Sequence, residues 1–79
     1  MRYRVVALRS RTCCKVFGTP ELYDKPITLG PYKRIKYAKK IRAVWAKDRV
    51  MVAPFPGSPL VDLGPTCRSV KIEEVPDNA

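Results

Sequence analysis

Cys13, Cys14 and Cys67 are the candidate nucleophiles of this chain. A thiol reacts as its thiolate, and Arg11 and Lys15 on either side of the adjacent pair would lower a thiol pKa. Covalent catalysis also needs a base and a group that orients it. The chain has no histidine, which removes the commonest general base and the commonest metal ligand. Glu73 and Glu74 are adjacent carboxylates, but in a strand they point to opposite faces and cannot act on one site. Gly57 and Gly64 stand alone, and neither opens a helix as a phosphate-cradling loop would. A zinc site needs four ligands, usually with a Cys-x-x-Cys pair, and that spacing is missing. The cysteine count is odd and two are neighbours, which makes a poor disulfide framework. The three thiols therefore read as small apolar residues in a reducing compartment. The chemistry points to a non-enzymatic protein with no metal, cofactor or small-molecule substrate.

What the chain has in quantity is positive charge. Lys and Arg number 16 against 7 Asp and Glu, for a net +9. Such a balance selects acidic partners: nucleic acid, an anionic membrane or an acidic protein surface. The charge is segregated along the chain. Residues 1–15 carry Arg2, Arg4, Arg9, Arg11 and Lys15 with no acid. Residues 30–49, GPYKRIKYAKKIRAVWAKDR, carry Lys33, Arg34, Lys36, Lys39, Lys40, Arg42, Lys47 and Arg49 against Asp48. The end of the chain is net negative, with Asp62, Glu73, Glu74 and Asp77 against Arg68 and Lys71.

These residues must be positioned by a small fold. A chain of 79 residues is one domain or less. Tyr3 to Leu8 (YRVVAL) is β-branched and aromatic and reads as a strand. Cys13 to Phe17 (CCKVF) reads as its hairpin partner, with Arg9 to Thr12 as the turn and Gly18 to Pro20 as the stop. Glu21 to Leu29 is an irregular connection with room for a short edge strand at 27–29, because Pro26 argues against a central strand.

The best-marked element follows. Gly30 suits an N-cap and Pro31 the first helical turn, and no Gly or Pro interrupts Tyr32 to Lys47. At about 100° per residue, Ile35, Tyr37, Ala38, Ile41, Val44 and Trp45 fall in one half of this helix. Lys33, Lys36, Lys40 and Lys47 fall on the opposite side, with Lys39 at its edge. Arg34 is the mismatch, since its angle places it in the apolar half. With no acid between Tyr32 and Lys47, no i,i+4 Glu–Lys pair offsets the repulsion among the lysines. Strands at 49–55 and 68–75 complete the chain, with room for a short added strand at 60–63, and the Pro-rich APFPGSP segment reads as a surface loop.

The expected fold is α+β, a two-layer sandwich of one amphipathic helix on a small, mainly antiparallel sheet. The expected order is β-β-α-β-β. One domain spans 1–76, and 77–79 form a frayed tail. The apolar run Val5 to Leu8 is too short for a signal peptide, and no segment reaches the roughly 20 apolar residues of a membrane span. A cytoplasmic location follows as the simplest expectation.

The functional expectation is a nucleic-acid-binding module. Its interface would be Arg2, Arg4, Arg9, Arg11, Lys33, Lys36, Lys39, Lys40 and Lys47. If the first hairpin and the lysine face share one side, they form a continuous patch for phosphates, with Tyr32 and Tyr37 placed to stack on bases. A ribonucleoprotein subunit would use the same surface. The competing expectation is a small inhibitor or accessory protein, of the kind encoded by viruses or mobile elements, that docks its basic patch on an acidic surface of a larger complex. The plainest alternative is a solvated cationic helix.

Overall fold

A computed structural model describes residues 1–76, so the expected tail at 77–79 lies outside the described residues. Strand β1 (Arg2–Arg9) is followed by helix α1 (Arg11–Val16), a single 3-10 turn at Pro20–Leu22, and β2 (Ile27–Tyr32). Helix α2 (Ile35–Lys47), β3 (Arg49–Val52), β4 (Val61–Pro65) and β5 (Cys67–Val75) complete the chain. One antiparallel sheet has the order β2-β1-β5, and β3 and β4 form a separate antiparallel pair. The α+β class read from the sequence is the observed one.

The sequence explains which strand is central. β1 contains neither Gly nor Pro and hydrogen-bonds along both edges. β2 contains Pro31, which cannot donate to a ladder, and it lies at the sheet edge where that donor is not needed. Cross-strand pairing then sets the faces. Val5 pairs with Leu29 and Ile72, and Ala7 pairs with Ile27 and Val70. Directly opposed residues share a face, so these side chains form one apolar surface, and α2 packs on it. Val5, Ala7 and Ala38 are fully buried at 0% exposure. Ala38 has no side chain beyond Cβ, which lets the helix approach the sheet closely.

Three local readings are corrected. Residues 11–16 form a helix, not the second strand of a hairpin, so Arg9 to Thr12 is not a hairpin turn. The reason is capping at both ends. The Ser10 side chain accepts the Cys13 N–H at 3.1 Å. At the other end, Gly18 adopts φ +66°, where Gly alone is unstrained. There the Thr19 N–H donates to the Cys14 carbonyl and the Gly18 N–H to the Lys15 carbonyl. This paired closure is a Schellman motif. The partner strand of β1 is instead β2, the segment in which only a short edge strand was expected.

Second, α2 begins at Ile35 rather than Tyr32. Gly30 and Pro31 belong to β2, where the pairing with β1 shifts register between Tyr3 and Val5. Gly30 has φ +106°, and a Cβ there would lie 3.1 Å from the Tyr3 carbonyl oxygen. Arg34 is the extended N-cap residue, which resolves its mismatch with the apolar stripe. Third, that stripe is narrower than the sequence implies. Ala38, Ile41 and Trp45 face the sheet, whereas Tyr37 and Val44 are 56% and 66% exposed. A three-stranded sheet is too narrow to cover half of a helix.

The close approach at Ala38 is testable. Ala38→Leu forces a larger side chain between α2 and the sheet and is expected to cost about 1–3 kcal/mol. Ala43→Leu, on the exposed side of the same helix, is expected to stay within about 0.5 kcal/mol of the parent. Urea denaturation of both variants checks the pair, and equal effects would place the helix–sheet contact elsewhere.

Candidate nucleic-acid interface

Helix α2 presents Lys36, Lys40 and Lys47 on the side opposite Ala38, Ile41 and Trp45. All three lysines are exposed, as are Lys33, Arg34, Lys39 and Arg42. At 1.5 Å per residue the ridge from Lys36 to Lys47 is about 16 Å long. Its flank is aromatic and apolar: Val44 is exposed, and the Lys40 Nζ lies 6.0 Å from the Tyr37 ring centroid.

The placement of the carboxylates defines the electrostatics. Arg4 pairs with Glu73 at 2.6 Å, Arg49 with Asp62 at 3.0 Å, and Arg68 with Asp24 at 3.9 Å. Asp62 is additionally held by the Gly64 N–H at 2.8 Å. That hydrogen bond, followed by the Arg49 guanidinium, keeps its carboxyl below the usual carboxylate range. Among the described residues no carboxylate pairs with Lys33, Arg34, Lys36, Lys39, Lys40, Arg42 or Lys47. The first turn of α2 holds no acid that would complement its dipole. The ion pairs are spent on strands and loops, and the helix is left wholly cationic.

The remaining expected contacts do not join this ridge. Arg2 and Arg4 occupy the alternate positions of β1, on the face that carries Val6 and Leu8, whereas Val5 and Ala7 lie beneath α2. The two arginines and the lysine ridge are therefore on opposite sides of the sheet, and Arg4 is already engaged with Glu73. Arg9 ends β1, and its Nη1 donates to the Lys25 carbonyl at 3.3 Å. Arg11 opens α1, with its guanidinium 5.6 Å from the Tyr23 ring centroid. The continuous patch expected from a hairpin plus a helix does not form, because the hairpin does not exist. Tyr32 is half-buried in β2 opposite Tyr3, which leaves Tyr37 as the aromatic residue beside the lysines. Lys71, omitted from the expected interface, pairs with Val6 and so shares the open sheet face with Arg2 and Arg4. Its period-two position in β5 is the signal that places it there.

The cysteines are buried and unpaired with one another. Burial pushes the Cys13 thiol up, aided by Cys14 and Asp48. Burial likewise raises Cys67, aided by Cys13 and Asp48. For Cys13 the one lowering influence, the Arg9 charge, is outweighed by burial, in keeping with the reading of the thiols as small apolar residues. No group of three metal-ligating side chains occurs among the described residues, and no helix among them is long and apolar enough to cross a membrane. Comparison of the chain with protein-family models, curated proteins and solved structures gives no match.

The raised thiols give a pH prediction. Folded Cys13 and Cys67 keep their protons to higher pH than the unfolded chain does, so stability is expected to fall as pH rises past about 8.5, the ordinary thiol value. Alkylation by iodoacetamide at neutral pH is expected to be at least about tenfold slower in the folded chain than in urea. Mass spectrometry of the alkylated peptides reads this directly, and comparable rates in the two states would contradict the burial.

Proposed function

We propose that this chain is a non-enzymatic nucleic-acid-binding module that lays the outer face of α2 along a phosphate backbone. The observation that carries the reading is the lysine ridge without a carboxylate, on a protein in which Arg4, Arg49 and Arg68 each have an acidic partner. Lysines on one helix face repel each other, and a row of phosphates removes that repulsion while its counterions are released. The interface is Lys33, Lys36, Lys39, Lys40 and Lys47, with Tyr37 beside Lys40 as a stacking surface. Arg2, Arg4 and Arg9 are left out of it, because they lie off the ridge. Binding of this kind is mainly to backbone and shape and carries little sequence information.

One observation favours a second reading. Phe55 and Leu60, in the loop of the β3–β4 hairpin, are 67% and 64% exposed, and a phosphate backbone gives them nothing to bury against. An inhibitor or accessory protein would use these side chains as anchors and the lysine ridge as a complement to an acidic protein surface.

The test separates position from net charge. Lys36→Glu with Lys40→Glu is expected to weaken binding to a short duplex by at least about tenfold and to lower the salt slope by about two. Arg2→Glu with Lys71→Glu makes the same change in charge on the open sheet face and is expected to leave most of the affinity. Equal losses would show that binding follows overall charge, which sinks the ridge as an interface. A stoichiometric protein complex that survives nuclease and is lost in Phe55→Ser would favour the second reading.

A further inference from the structure

A second site lies beside α1. A groove of about 520 Å³ is lined by Arg11, Cys14, Lys15, Gly18, Pro20 and Tyr23. That volume falls in the range of about 300–1,000 Å³ typical of small-ligand sites. The lining is divided by chemistry. Cys14, Pro20 and the Tyr23 ring supply an apolar floor, and Arg11 and Lys15 supply a cationic rim. These two cations are four residues apart on one helix, so they project side by side. Neither has a carboxylate partner among the described residues, and no carboxylate lines the groove.

The Tyr23 ring is fixed rather than loose. The Arg68 guanidinium lies over it at 3.8 Å from the centroid. That guanidinium is anchored in turn, because its Nη1 donates to the Arg9 carbonyl and, at 2.8 Å, to the Tyr23 carbonyl. α1 is fixed by its Ser10 cap and its Gly18 closure. Gly18 has no neighbour within 4 Å of where a side chain would begin, so the groove is open there. A held aromatic ring, with the Arg11 guanidinium 5.6 Å from its centroid and Lys15 beside it, neither cation matched by a carboxylate, fits a planar body that carries a dianion.

We propose that this groove binds a 5′-phosphorylated nucleoside, with the base against the Tyr23 ring and the phosphate between Arg11 and Lys15. The inference deepens the nucleic-acid reading and rests on it for its biological source, an unpaired nucleotide of the same strand. The elements that carry the two sites are linked through the backbone: the Thr66 N–H donates to the Asp48 carbonyl at the end of α2, and the Ser10 N–H to the Thr66 carbonyl. A free mononucleotide has the same chemistry, and the experiment separates the two sources.

The experiment is an amide NMR titration of the full chain with adenosine monophosphate, adenosine, inorganic phosphate and a short 5′-phosphorylated single strand. Saturable shifts at Gly18, Thr19 and Tyr23 are expected with the mononucleotide, and at least about tenfold weaker ones with adenosine or phosphate alone. Lys15→Glu and the double variant Arg11→Glu, Lys15→Glu are expected to abolish them while the spectrum keeps its dispersion. Lys36→Glu with Lys40→Glu is expected to leave the mononucleotide titration within about twofold, since those lysines are outside the groove. Tighter binding of the single strand than of the mononucleotide assigns the groove to nucleic acid, and equal binding assigns it to the free nucleotide. Absence of shifts at the groove overturns the inference while leaving duplex binding by α2 intact. Equal affinity for adenosine and its monophosphate overturns the phosphate assignment. If the groove binds the mononucleotide but the α2 variant keeps full duplex affinity, the ridge reading fails and the groove stands alone.

Discussion

The contact between Ala38 and the face of β1 carrying Val5 and Ala7 governs the rest of the molecule. A helix of 13 residues is marginal in water even with good propensity. α2 also carries like charges at Lys36 and Lys39, at Lys36 and Lys40, and at Lys39 and Arg42, each worth a few tenths of a kcal/mol of repulsion. Without the sheet this helix has no reason to persist. Docking through Ala38, Ile41 and Trp45 supplies the burial that holds it. Because the sheet is only three strands wide, it claims a strip of the helix and no more. The remaining surface is free of packing demands, and that surface is where the lysines stand.

A second group of buried residues holds the other half of the chain. Cys13, Cys14, Val50 and Cys67 are the remaining buried apolar residues, drawn from α1, β3 and the start of β5. The hydrogen-bond relay from Ser10 through Thr66 to Asp48 ties these elements together at the end of α2. Beyond Val50, the β3–β4 hairpin adds little to either group, since Met51, Val61 and Leu63 all remain well exposed. Its Arg49–Asp62 pair is an exposed bridge of the kind that contributes at most about 1 kcal/mol. The result is an elongated molecule, with a radius of gyration of 15.0 Å where a compact chain of this length would have about 12 Å. Such a shape exposes more of the chain's surface than a sphere would.

Much of this was legible in the residues. Strong periodicity carried β1, α2 and β5, because Val5 and Ala7, Ala38 and Ile41, and Val70 and Ile72 repeat at the spacing of the element they occupy. The misreadings have two causes, composition weighed above punctuation in one and a tertiary demand overriding punctuation in the other. CCKVF has the residues of a strand, yet Ser10 before it and Gly18 after it are the start and stop signals of a helix. Gly30-Pro31 has the residues of a helix start, yet the register shift opposite Tyr3 needs a glycine with positive φ, a tertiary demand that no local pattern reveals. The open and covered faces of β1 were implicit in its alternation. What the alternation could not tell was that Arg2 and Arg4 fall on the face away from α2, because that depends on which side the helix crosses. The groove at Tyr23 was likewise invisible, since Arg68 reaches it across 45 residues of chain.

The separation of the two cationic faces decides how the charge acts. A helix with its side chains is about 10–12 Å across, so the lysine ridge stands at least that far from the sheet face carrying Arg2 and Arg4. The Debye length at physiological salt is about 8 Å. Beyond that distance the open-face arginines add little to the potential at the ridge, and Arg4 is further neutralised by Glu73. The chain's net +9 therefore overstates the field that any one partner meets. At low salt the whole molecule attracts a polyanion from all sides. At physiological salt the positive potential contracts to the unpaired lysines of α2 and to the rim of the Tyr23 groove.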